Sequence, residues 1–246
     1  MGKVHELLAV ENDRKQKAKV ILTETIATFT KKGEHFDGLT KTYKPKVEGG
    51  DKIPDQVKEV VTTVDKKLAY TKGAVIVAID AQLSKEESNS SGTVNAELKI
   101  GDKTFTLSAT SLLALEQQLT NIRAVYKTIP TQDPTRIWVE DTSAGTGLFM
   151  TAPEELYRTK KEHKPFVKYE ATTEHPAQVE VIAEDVQIGK YETTYRTGKI
   201  SPARKSEMLA KVDGLIDAVK RARAKANQAE VTNVKIGKEI FDYINR

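Results

Sequence analysis

At Pro130 and Pro134 the hydrophobic period of the chain changes, and no other feature of the sequence constrains the fold as strongly. Just before the break, Leu112, Leu115, Leu119, Ile122, Tyr126 and Ile129 recur at alternating spacings of three and four. That spacing places one continuous apolar seam on a helix spanning about residues 110–129. After the break, segments 136–141, 147–152, 155–163, 165–173, 177–185 and 190–198 carry the alternation of strands and are separated by short turns. Neighbouring strands joined by short turns pair antiparallel, so the block at about 136–198 is expected to be a meander.

The remaining segments sort around that break. Residues 3–31 read as a long helix with an apolar start at Val4, Leu7 and Leu8 and a second stripe at Ala18, Ile21, Leu22, Ile26 and Phe29. Between those stripes, residues 11–17 have nothing apolar to bury. Such a helix suits either a frayed end with a partly exposed first turn or an arm that bridges two packing partners, for which a neighbouring subunit is one candidate. Residues 36–60 read as a loop or short hairpin. A second helix is expected over about 66–89, with Leu68, Val75 or Ile76, Ile79 and Leu83 facing inward.

The alternating residues on either side of Gly101-Asp102 predict a hairpin at about 93–108. Ser201-Pro202 is an N-cap followed by proline at the first helical position, opening a helix over about 202–227 with Leu209, Val212, Leu215, Ile216 and Val219 as its stripe. A short strand around Val231 to Ile236 and a terminal helix with Ile240, Phe241 and Ile244 complete the reading. Helices, then a block of strands, then helices is the α+β pattern, here read as a single α+β domain over 1–246 with residues 1–32 as an oligomerisation arm.

Several functions are disfavoured at once. The chain contains no cysteine, which removes disulfides, thiolate nucleophiles, Fe–S clusters and the common zinc fingers. The longest strictly apolar run, residues 74–79, is far short of the roughly 20 residues that cross a bilayer, and the N-terminal stretch has no signal-type apolar region. A cytoplasmic protein without a membrane partner is therefore expected. Gly145 and Gly147 superficially suggest a phosphate loop, but no helix follows them, so a β-turn is the plain reading. No P-loop, nucleophile elbow, HExxH or EF-hand pattern occurs, and neither a cofactor nor a metal site is expected.

Three constellations remain. His175, with Glu174 and Glu170 nearby, has the residue types of an acid–base centre, but a residue before proline is driven to extended geometry, so His175-Pro176 most simply turns the chain from one strand into the next. His163 stands at the other end of the intervening strand, about 30 Å away at ~3.3 Å per residue, and the two histidines cannot share a metal. On the segment 80–89, Gln82, Glu86 and Asn89 share a helix face beside Lys85, which suits a ligand pocket or a solvated helix end equally.

Basic clusters at 157–164 (Arg158, Lys160, Lys161) and 220–225 (Lys220, Arg221, Arg223, Lys225) offer cations to a phosphate backbone. Acidic neighbours and the lack of interleaved aromatics near 220–225 argue against base readout there. The leading expectation is a non-catalytic homo-oligomer that uses Val4, Leu7 and Leu8. A nucleic-acid or nucleotide-binding module ranks second, and an enzyme of unrecognised type near His175 third.

Overall fold

The computed structural model describes residues 4–90, 95–171, 173, 175–227 and 240. In chain order the elements are α1 (Val4–Lys31), a 3-10 turn (Gly33–Phe36), β1 (Asp37–Pro45), β2 (Gln56–Lys58), α2 (Val64–Asn89), β3 (Asn95–Ile100), β4 (Lys103–Ser108), α3 (Ala109–Lys127), β5 (Val139–Glu140), β6 (Phe149–Met150), β7 (Glu154–Tyr169), β8 (Gln178–Thr197) and α4 (Pro202–Ala226). The fold is α+β, with long helices, a six-stranded antiparallel sheet and a separate two-stranded hairpin. The strand expected at 231–236, and Phe241 and Ile244, lie outside the described residues.

The chain forms two compact units. The first comprises residues 1–23, 71–127 and 207–246. Its core joins the β3–β4 hairpin (Ala96, Leu98) to α3 (Leu112, Leu115, Leu119) and α4 (Ile216, Val219, Ala222, Ala226), with Ile79 and Leu83 of α2 packed alongside. The α3 seam is buried at Leu112, Leu115 and Leu119 and half-buried at Ile122 and Tyr126, Ile129 falls past the end of the helix, and Val125 is buried beside the seam. Of the two α2 alternatives Val75 faces inward and Ile76 outward, because Ala78 and Ala81 share the inner face with Val75. In α1 the polar waist is tied in place by Glu11, which pairs with Lys85 at 3.2 Å.

The second unit comprises residues 24–70 and 128–206. Phe29 at the end of α1 meets Phe36 of the 3-10 turn at 5.8 Å between ring centres, and Phe36, Val64, Ile129 and Ile200 are fully buried. The start of α4 belongs here, and its cap forms as expected: the Arg204 N–H donates to Ser201 Oγ at 3.2 Å.

Within the large sheet the strand order is β2-β1-β8-β6-β5, with β7 also on β8. Three strand expectations change here. Of the two readings for 36–60 the hairpin holds, with β1 and β2 antiparallel from Leu39↔Lys58 to Lys41↔Gln56, but β1 is longer than a short hairpin needs and also pairs with β8 along its whole length, from Asp37↔Thr197 to Pro45↔Gly189. The expected break at residue 164 is absent, since Lys164 and Pro165 continue β7 opposite Ile182 and Val181. Proline survives because β7 is an edge strand, where a missing N–H removes at most one ladder bond. The break expected between 185 and 190 is likewise bridged, by a register shift opposite Arg158 and Thr159. As a result β6 pairs with β8 and not with β7, the next strand in sequence.

Candidate functional site

The fusion of four short segments into two long strands produces the most distinctive surface of the second unit. From Glu154 to Arg158, β7 lies on one side of β8 while β1 covers the other. β1 stops opposite Gly189, so beyond that point β7 (159–169) and β8 (178–187) pair with each other and with no other described strand. This two-stranded ribbon is exposed almost throughout.

Its base is well anchored. Tyr43 is buried against Gly189, its hydroxyl donating to the Ile188 carbonyl at 3.3 Å, and its ring lies 5.1 Å from that of Tyr191. Arg158 stacks over Tyr43 and pairs with Asp51 at 3.1 Å. Lys190 binds Glu155 at 2.5 Å and Glu192 at 3.0 Å, and these hydrogen bonds push its ammonium well above the usual lysine range. The same bond from Lys190, reinforced by one from Tyr157, holds the Glu155 carboxyl below its ordinary value.

Outward from this collar the cross-strand pairs alternate between faces. One face carries His163↔Ala183, Pro165↔Val181 and Val167↔Val179, a largely apolar strip that begins next to the charged pair Lys161↔Asp185. The opposite face carries Lys164↔Ile182 and Phe166↔Glu180, stitched by the ion pairs Lys164–Glu184 at 2.6 Å and Lys168–Glu180 at 3.5 Å. Phe166, Val167, Tyr169, Val179, Val181 and Ile182 are all about half exposed or more, from 48% at Ile182 to 64% at Tyr169. Solitary exposed apolar residues are ordinary, but a contiguous group on one protruding element marks an interaction surface.

A second feature of this unit is a cleft of about 330 Å³ between β1, β8 and the 133–138 segment. The single tryptophan, Trp138, lines it and donates its indole N–H to the Asp133 carbonyl at 2.9 Å. Arg136 stacks on the Tyr195 ring at 3.5 Å and pairs with Glu154, Arg196 faces Asp141 at 3.5 Å, and Lys199 binds Asp37 at 2.5 Å. Hydrogen bonds from the Thr135 hydroxyl and N–H hold the Asp133 carboxyl below its usual range. Each of these three cations thus already has a carboxylate, the lining contains no histidine, and its hydroxyl–carboxylate contact, Thr197 donating to Asp37 at 3.0 Å, shares that carboxylate with Lys199. The walls are ion-paired and aromatic rather than arranged for acid–base chemistry.

The residues singled out by sequence fall as follows. His175 and Pro176 lie in the exposed connection between β7 and β8, where a corner was expected; Glu170 lies at the start of that connection, and Glu174 lies outside the described residues. Gly145 and Gly147 adopt left-handed backbone (φ 112° and 77°) in the turn joining β5 to β6. The polar end of α2 is engaged within the first unit: Gln118 donates to Gln82 at 2.7 Å, and Lys85 contacts Glu11 and Glu86.

Lys160 and Lys161 occupy successive ribbon positions and therefore opposite faces. On α4, Lys220, Arg221 and Lys225 are exposed, while Arg223 pairs with Glu116 at 3.0 Å. In α1, Leu7 is half-buried and Leu8 is 49% exposed; the Val4 side chain is not among those described. Sequence reasoning missed the cleft because its walls are joined by the β1–β8 pairing across more than a hundred residues. It also missed the ribbon's exposure, although the alternation in 177–185 that builds it was visible.

No described group of three or more His, Asp or Glu side chains is placed to hold a metal ion, and no described helix is long and apolar enough to cross a membrane. No curated protein and no solved structure matches the chain. Residues 1–246 match throughout a family of unknown function, DUF7873, and the chain belongs to that family.

Proposed function

We propose that this chain is a non-catalytic cytoplasmic protein that assembles with copies of itself. The observation that carries the reading is the ribbon beyond Gly189, two strands deep with apolar side chains exposed on both faces. An isolated two-stranded hairpin is marginal in water, and apolar surface of this kind gains about 25 cal/mol for each Å² that a partner removes from solvent. Leu8 and Val10, exposed on the first turns of α1, add a second apolar surface consistent with the helical arm.

The solution mass tests this directly. The full chain is expected to exceed its 27.3 kDa monomer mass in a concentration-dependent and salt-resistant way. Replacing Phe166, Val179 and Val181 together by serine is expected to return it toward that mass. A wild-type chain that stays monomeric at every concentration sinks the proposal.

A second reading keeps some support from α4, where no described carboxylate pairs with Lys220, Arg221 or Lys225. Under that reading the chain binds a polyanion with strong salt dependence, and Arg221→Glu with Lys225→Glu weakens it. Nucleic acid carried through purification at low salt, and lost in that double variant, is the outcome that favours it.

A further inference from the structure

Resting on the self-association reading, we infer that copies join edge to edge through their ribbons, β8 of one copy lying antiparallel against β7 of the next. Three observations lead there. First, β7 over 159–169 and β8 over 178–187 each have one edge that faces no described strand, so a row of main-chain donors and acceptors is open on both sides of the ribbon. Unpaired edges of this kind are templates for another strand, and natural sheets shield theirs when no partner is intended.

Second, the shielding devices are one-sided, with Pro165 and the lysines at 160, 161, 164 and 168 all on β7. Pro165 removes a single donor from β7, and the ribbon part of β8 has no proline and no lysine. Val179, Val181 and Ala183 alternate there with Glu180, Ile182 and Glu184, so one face of the strand is apolar and the other largely acidic.

Third, the two strands differ in sign. Within the ribbon β7 carries Lys160, Lys161, Lys164 and Lys168 against Glu162 alone, whereas β8 carries Glu180, Glu184 and Asp185 and no basic residue. Joining β8 to β8, or β7 to β7, brings like charges together; joining β8 to β7 brings opposite charges together. The chain already shows the favourable match internally, in Lys164–Glu184 and Lys168–Glu180. A second copy's β7 repeats on the open edge of β8 what its own β7 supplies on the paired edge. The occupant that fits is therefore another copy of this chain. Because the two surfaces differ, the contact is head-to-tail, and it closes into a ring or runs on as a filament.

Charge reversal and cross-linking of the full chain test the joint. Lys160→Glu with Lys164→Glu makes both edges acidic, and Glu180→Lys with Glu184→Lys makes both basic. Each double variant is expected to associate more weakly by about tenfold or more, and an equal mixture of the two to regain wild-type mass. The chain bearing all four substitutions together with Lys168→Glu, which reverses the Lys168–Glu180 pair as well, keeps opposite signs within and between ribbons, and should associate like wild type.

Since the chain has no cysteine, His163→Cys on β7 and Ala183→Cys on β8, which share a face in the register of the ribbon, give a second measurement that leaves the charge pairs of the ribbon intact. With a short bifunctional thiol reagent the mixture of these two single variants should yield more cross-linked dimer than either alone. Wild-type association that is unchanged by both reversals, or cross-linking as strong in each cysteine variant alone as in the mixture, overturns the joint but leaves self-association standing. A monomeric wild type overturns both.

Discussion

At the scale of single residues, the base of the ribbon depends on one absent methyl. A Cβ on Gly189 would lie 2.2 Å from the hydroxyl oxygen of Tyr43, and Tyr43 is itself buried, with its ring against Tyr191. Gly189→Ala is therefore expected to displace Tyr43 and loosen the register shift at Ile188, lowering stability by about 1–3 kcal/mol as overpacking does. A urea titration read by tyrosine fluorescence checks it; an unchanged midpoint would show that Tyr43 has room to move. Neither partner was identifiable beforehand. Gly189 read as a turn residue between two strands, and its opposition to Pro45 and Tyr43 exists only once β1 lies beside β8.

Between elements, the end of α2 and the start of α3 are joined by a carboxylate. Glu87 accepts from the Ser108 N–H at 2.8 Å and the Ser108 hydroxyl at 3.0 Å, while Ser108 caps α3 by accepting from the Ser111 N–H at 3.3 Å. An anion at a helix N-terminus also meets the positive end of the helix dipole. Partial burial alone would raise the Glu87 carboxyl, but hydrogen bonds from Ser111 and from the backbone and hydroxyl of Ser108 outweigh it and hold it below its ordinary value. A carboxyl depressed in the folded state stabilises above its unfolded pKa, and that contribution disappears as the pH falls through the folded value. Glu87→Gln should thus be less stable than wild type at pH 7, with the gap narrowing below about pH 4. Chemical denaturation at both pH values measures it, and a constant gap would exclude the ionised role. The helices themselves were legible from period and capping signals, including the Ser201 cap, because those signals act within one turn. This bridge was not, since Ser108 is brought back to Glu87 only by the β3–β4 hairpin that separates them in sequence.

For the whole molecule, the ribbon is the part whose removal separates folding from assembly. Its side chains beyond the collar are exposed, and the buried side chains of the chain lie elsewhere. Replacing residues 160–186 by a tight Asn-Gly turn is expected to shift the thermal midpoint by only a few degrees, roughly 1 kcal/mol or less, while removing concentration-dependent mass. Calorimetry alongside light scattering reads both. A collapse of the midpoint would mean that the ribbon belongs to the folding core.

The amino-acid sequence by itself determined the α+β class, the four long helices, their inward faces, the hairpin and the strand character of 136–198. Each of these follows from local spacing, from caps and from the apolar/polar alternation of neighbouring residues. The tertiary structure decided the strand order, the recruitment of residues 37–45 into the sheet, the fusion of four short strands into β7 and β8, and the exposure of the ribbon. Those depend on which distant segments supply main-chain partners. Val181 alternates as a buried strand residue would, and it is left in solvent because the ribbon runs out past the end of β1 with its faces uncovered.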